Sequence, residues 1–171
     1  MRRGRRGFTL IELTIVIAVI AIVAAIAVPN LLEARKRANE ASAISSLRAV
    51  HAAQTIYRGR QPVYADSMPS LRGFVDDGLA GPVAGGPFVT EAGRKNGYWF
   101  GLTSGGGAYD WGAAAVPVVW FTSGDRAYFI DESGVVRTSL TFVGGAIPTD
   151  EELRGWAPVG DLAAVAQAVS N

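Results

Sequence analysis

The chain contains no cysteine and a single histidine. Without cysteine there is no disulfide and no thiolate metal site, so the loops must be held by packing and hydrogen bonds. The one histidine, His51, lies among alanine and valine, away from any cluster of acids, and reads as a packed or surface residue. No serine sits in a nucleophile-elbow pattern. The run Ser104-Gly105-Gly106-Gly107 lacks the lysine and the following helix of a phosphate loop and reads as a hairpin loop. These absences leave no catalytic constellation and no cofactor motif, so the expected class is not an enzyme. An excess of positive charge is missing too. Four of the 16 basic residues precede Gly7; without them 12 remain against 15 acidic ones, a formal charge of −3. Direct nucleic-acid binding is not expected from that balance.

What the chain has in abundance is one apolar run. Residues 1–7, MRRGRRG, are short and basic, and residues 8–28, FTLIELTIVIAVIAIVAAIAV, are almost wholly apolar. Twenty-one residues of helix are long enough to cross a hydrocarbon layer about 30 Å thick. Arginines ahead of the run favour keeping that end on the cytoplasmic side. An ordinary secretory signal would have a shorter apolar core and end in a small-residue cleavage site. Here the run leads into VPNLLEARKRANEA instead. Glu12 is the anomaly, because a carboxylate inside an apolar run is costly and needs a partner. Cleavage behind Gly7 would create an α-amine on Phe8, opposite in charge to Glu12 and able to neutralise it across two packed subunits. A carboxylate also suits the first turn of a helix.

Gly7-Phe8-Thr9-Leu10-Ile11-Glu12 resembles the processing motif of type IV prepilins and the related pseudopilins. The resemblance implies cleavage between Gly7 and Phe8 by a prepilin peptidase and N-methylation of Phe8. It implies a role for Glu12, with Phe8, in assembly, and a helix kink at Pro29. The fold it implies is α+β and type IV pilin-like. A long N-terminal helix, its first half transmembrane, would pack on a small antiparallel β-sheet of three to four strands.

The organisation expected is a cleaved leader at 1–7, a helix at 8–58 with the assembly segment 8–28, a loop region at 59–96, a sheet at 97–138 and a tail at 139–171. Beyond Pro29 the chain is rich in helix formers, and Ile44, Leu47, Val50, Ile56 and Tyr57 mark an apolar face. Such a helix would have roughly 50 residues and a length of about 75 Å. Arg35, Lys36 and Arg37 read as a solvated face or as partners for acids on neighbouring subunits. Gly59, Pro62 and many later turn formers suggest a long loop with a short helix at 67–76, and Leu71, Phe74 and Leu79 packing down. Strands are expected at 97–102, 115–121, 126–130 and 134–138, the last two joined by the turn Asp131-Glu132-Ser133-Gly134. Trp99, Trp111 and Trp120 are expected in the sheet core. A helix is expected at 159–169.

Asp110, Asp125 and Asp131 are hard oxygen donors of the kind calcium takes, but the surrounding signature is incomplete and no metal is expected. The leading reading is a structural subunit of a type IV pilus. It would wait in the inner membrane as a single-pass precursor and then join a cell-surface filament by self-association. The partners implied are a prepilin peptidase, an assembly platform protein and an assembly ATPase. The alternatives are a pseudopilin of type II secretion and a membrane-anchored periplasmic binding module that never polymerises.

Overall fold

A computed structural model describes residues 8–81, 93–104, 110–139, 153 and 155–159. The basic leader, the glycine run at 105–107 and the expected helix beyond residue 159 lie outside the described residues. The chain divides into two compact units, residues 1–35 and residues 36–171. Helix α1, Leu10–Arg60, contributes to both and continues through Pro29.

In the first unit α1 buries nothing. Its apolar side chains all face outward, from Leu10 at 81% exposure to Leu32 at 54%, as does Phe8 ahead of it. The second unit has the opposite character. There Ala43, Leu47, Val50 and Ala53 are sealed against one face of an antiparallel sheet. Their spacing of three and four residues keeps them on one side of the helix. The expected pair Leu47 and Val50 is fully buried and Ile44 is half-buried, whereas Ile56 stays 49% exposed.

The sheet has six strands in simple sequential order: β1 Gly93–Lys95, β2 Tyr98–Ser104, β3 Trp111–Pro117, β4 Ala127–Asp131, β5 Val136–Ser139 and β6 Ala157–Pro158. Every neighbouring pair is antiparallel. This corrects the expectation of three to four strands. The additions are the short edges, which lie in stretches too rich in glycine, proline and charge to read as strands. The turn between β1 and β2 is Asn96-Gly97, with φ of 45° and 76°, the pair that most favours a tight hairpin.

One central strand is displaced from its expected place. The strand expected at 115–121 is β3 at Trp111–Pro117, with Pro117 at its end and Val118–Phe121 in a turn. Val, Trp and Phe have strong strand propensity, but position won over propensity. All seven residues of WGAAAVP are buried, and small side chains are what a strand covered on both faces can hold. The β4–β5 hairpin closes as expected: the Gly134 N–H donates to the Asp131 carbonyl at 3.0 Å, and Gly134 has φ +73°.

The two sheet faces build two apolar clusters. The helix side holds Tyr98, Phe100, Leu102, Trp111, Tyr128 and Ile130. The far side holds Ala114, Val116, Ala127, Phe129 and Leu153, with Trp99, Trp120 and Trp156 half-buried around them. Of the three tryptophans expected in one core, only Trp111 lies under the helix. Trp99 sits opposite Val116 in the register and points the other way.

Between helix and sheet the chain makes a 3-10 turn at Met68–Leu71 and a single-turn helix, α2, Asp77–Ala80. Leu71 and Leu79 are buried and Phe74 is partly buried, as expected. Gln54, wholly buried, fixes this segment. Its side chain donates to the Ala65 carbonyl at 3.0 Å and accepts from the Ala65 N–H at 2.9 Å, so that one amide satisfies both backbone polar groups of a buried residue.

Candidate functional site

The N-terminal segment carries the chemistry. Thr9 stands just ahead of α1 and Glu12 in its first turn. One Glu12 carboxylate oxygen accepts from the Thr9 N–H at 2.9 Å and from the Thr9 hydroxyl at 2.7 Å. In return the Glu12 N–H donates to the Thr9 hydroxyl oxygen at 3.3 Å. This is a reciprocal capping box, in which two backbone donors that a helix start leaves open are satisfied by two side chains. The Thr-x-x-Glu spacing announces it, yet reading Glu12 only as an apolar-run anomaly missed it. Within a single chain, then, Glu12 already has a partner. Its carboxylate is fixed beside Thr9, one residue from Phe8. Thr14 continues the local pattern, its hydroxyl donating to the Leu10 and Ile11 carbonyls at 3.1 and 2.9 Å.

Of the four residues singled out from the sequence, Gly7 lies outside the described residues. Phe8 precedes the helix and is open to its surroundings, Glu12 is in the first turn, and Pro29 is inside the helix. Leu10–Arg60 is the one helix, among the described residues, long and apolar enough to cross a membrane.

In the second unit the polar face of α1 is fastened to the loops that join β1 to β2 and β3 to β4. Lys36 binds both carboxylate oxygens of Asp125, at 3.1 and 2.9 Å. Asn39 donates to the Ser123 carbonyl at 2.9 Å, and Glu40 accepts from the Asp125 N–H at 2.9 Å. The Asn96 amide donates to the Ser42 hydroxyl at 2.7 Å. Lys36 therefore has a partner in its own chain, neither of the two roles its basic neighbourhood suggested. Beneath this row lie Tyr98 and Tyr128, ring centroids 6.1 Å apart. Burial pushes both phenols well above their ordinary value of 10. Secondarily, the charge of Tyr128 raises Tyr98, and Glu40 raises Tyr128.

The three aspartates weighed as calcium donors are not brought together by any shared site. Asp125 is taken by Lys36, and Asp131 binds Arg137 at 2.8 Å and accepts from the Ser133 hydroxyl. Among the described residues no group of three or more His, Cys, Asp or Glu side chains is placed to hold a metal ion. His51 stacks obliquely on Trp111, with centroids 5.8 Å apart.

Comparison with known proteins bears on the same segment. Residues 2–28 match the family described as the prokaryotic N-terminal methylation motif. The chain is 36% identical over 118 residues to the type IV wide pilus major component PilA4 of Thermus thermophilus, a match covering 63% of this chain and 88% of that protein. It is 44% identical over 61 residues to the type IV major pilin protein PilA of Myxococcus xanthus, covering 36% of this chain and 28% of that one. It is 34% identical over 58 residues to the type II secretion system core protein G of Dickeya chrysanthemi, covering 34% and 38%.

Proposed function

The chain belongs to the type IV pilin-like family, and from that premise we propose that it is a structural subunit of a type IV pilus, not an enzyme. The observation that carries the reading is the first unit itself. Its helix is apolar all round, none of its most apolar stretch is buried, and a carboxylate is fixed in the first turn. Apolar surface of that extent is stable only in lipid or among copies of itself.

The proposal gives residues 8–28 two successive environments. A prepilin peptidase cuts between Gly7 and Phe8 and the new Phe8 amine is methylated. The subunit then rests in the inner membrane as a single-pass protein. An assembly platform protein and ATPase draw it into a helical cell-surface filament for adhesion, twitching motility or DNA uptake. In the filament the same helix packs against its neighbours. The Phe8 amine of one subunit meets Glu12 of the next, which leaves its bond to Thr9 or shares it. Pro29 supplies the place where the helix kinks or melts during the transfer, since it lacks the N–H that would close the preceding turn.

Mass spectrometry of purified surface filaments tests this. The expected result is an N-terminal peptide that begins at Phe8 and carries one additional methyl group. Working cells that keep Arg2–Gly7 on the chain, or filaments that lack the chain, refute it. A second reading, a pseudopilin of type II secretion, is supported by the likeness to core protein G over 58 residues. It predicts that deletion of the chain stops protein secretion and leaves surface filaments intact.

A further inference from the structure

Asparagine is followed by glycine once in the chain, at Asn96-Gly97, and this pair forms the whole loop of the β1–β2 hairpin. The register pairs Lys95 with Tyr98 and leaves the two turn residues outside the ladder. Asn96 has φ +45° and Gly97 φ +76°, a left-handed conformation that asparagine and glycine adopt at low cost. The Asn96 side chain is exposed. Asn30 and Asn39, by contrast, lie inside α1 and precede the larger Leu31 and Glu40.

The pair is also a seam of the globular unit. Asn96 Nδ2 donates to the Ser42 hydroxyl of α1 at 2.7 Å. The Gly97 carbonyl accepts from the Val118 N–H at 2.8 Å. A Cβ on Gly97 would come within 3.1 Å of Asn39 Nδ2 and of Ser123 Cβ. Turn, helix and the β3–β4 loop therefore meet at Gly97 with no room to spare.

A backbone nitrogen that follows asparagine can attack that side chain, and glycine leaves the approach open because it has no Cβ. The Gly97 nitrogen bonds to Asn96 Cγ, the Cγ–Nδ2 bond breaks, and ammonia leaves with the proton that Gly97 gives up. Water then opens the cyclic imide at either carbonyl, its hydroxyl going to the carbon and its hydrogen to the nitrogen. The products at position 96 are aspartate and isoaspartate. One water enters, one ammonia leaves, and nothing is oxidised or reduced.

We propose that Asn96-Gly97 is a site of spontaneous deamidation, and that the Ser42 hydroxyl sets its rate by holding the reacting amide on α1. The amide must leave Ser42 before Cγ can turn towards the Gly97 nitrogen. Aspartate at position 96 keeps the seam, since a serine hydroxyl can donate to the new oxygen as readily as it accepts from the amide. Isoaspartate adds a carbon to the main chain where Gly97 has no room to move. That product pushes the turn off Asn39 and Ser123 and slackens the hold on α1. The pair is thus a timer, and the fraction of globular units with a loosened seam grows with age.

The test ages the full chain, purified in detergent, in neutral buffer. Peptide mass spectrometry reads the change from amide to acid at each asparagine, and labelling by an isoaspartyl methyltransferase reads isoaspartate. The expected result is conversion at Asn96 while Asn30 and Asn39 stay intact. Ser42→Ala speeds that conversion roughly two- to tenfold, the factor that one net hydrogen bond is worth. Ser42→Thr, which restores a hydroxyl, returns the original rate. The melting temperature falls as isoaspartate accumulates, whereas Asn96→Gly, which keeps the turn and cannot react, holds its melting temperature on ageing. An Asn96 that stays intact while the same chain unfolded in urea converts overturns the site. Equal rates in the parent chain and Ser42→Ala overturn the role of Ser42. An aged chain rich in isoaspartate with an unchanged melting temperature overturns the timer.

Discussion

One helix serves two regions under opposite rules. Up to Arg35 it buries no side chain, although Leu, Ile, Val and Ala dominate its sequence; beyond Lys36 it buries Ala43, Ser46, Leu47, Val50, Ala53 and Gln54. Hydrophobicity does not separate the two halves in the expected direction, since the more apolar half is the one left open. The difference is the environment each half is suited to. The second half has a stripe, apolar on one side and polar on the other, and the sheet supplies its partner. The first half is apolar all round, which is how a helix surrounded by lipid or by its own kind reads.

The sharpest way to break this comparison is to remove one side of it. Residues 30–171 alone are expected to leave the membrane fraction completely and to melt cooperatively as a folded unit. Retention on membranes would show that the second region carries the anchorage. Next in size, Leu47→Ala is expected to cost the globular unit about 2–5 kcal/mol, as other fully buried leucines do, with membrane retention unchanged. Chemical denaturation read beside carbonate extraction checks both halves at once; loss of retention in this variant would mean the two regions are coupled.

Alkali gives a smaller effect, confined to the second region. Tyr98 and Tyr128 hold their protons in the folded state above their ordinary value of 10. The unfolded chain therefore releases protons first as pH rises, and stability falls. Their contribution is full below about pH 10 and is lost progressively above it. Tyr128→Phe is expected to flatten that fall, measured as melting temperature against pH. An unchanged slope would place the alkaline sensitivity elsewhere. Smallest is the Lys36–Asp125 pair, whose side chains are 18% and 37% exposed. A double-mutant cycle with alanine at each is expected to return no more than about 1 kcal/mol. A much larger coupling would mean that the pair is shielded from solvent.

Much of this architecture was legible because it depends on local patterns. The apolar run, the Leu47–Val50 face and the Asp131–Gly134 turn all announce themselves within a few residues. The Thr9–Glu12 cap was equally local, and its Thr-x-x-Glu signal was present but overshadowed by the apolar setting of Glu12. What could not be read depends on partners distant in sequence. Gly-Ala-Ala-Ala at 112–115 looks like no strand until β2 and β4 enclose it. Lys36 gives no sign that Asp125, 89 residues away, will hold it. Gln54 looks like one more polar helix residue until Ala65 offers it both a backbone N–H and a backbone carbonyl. Trp99 and Trp111 part company because strand alternation, invisible until the register is set, sends them to opposite faces.

The sequential strand order has a consequence for how the unit comes to be folded. Each strand pairs with the one that precedes it in the chain, so the sheet can zip up from β1 onward as successive residues become available. Topologies with such local pairing fold quickly for their size. The contacts that bridge great sequence distance are those between α1 and the loop at 123–125. Closing so long a stretch of chain costs entropy, so these contacts are expected to form after the strands have paired. The latest step expected is therefore the docking of α1 against the 123–125 loop. With no cysteine in the sequence, that docking is locked by packing and hydrogen bonds and by no disulfide.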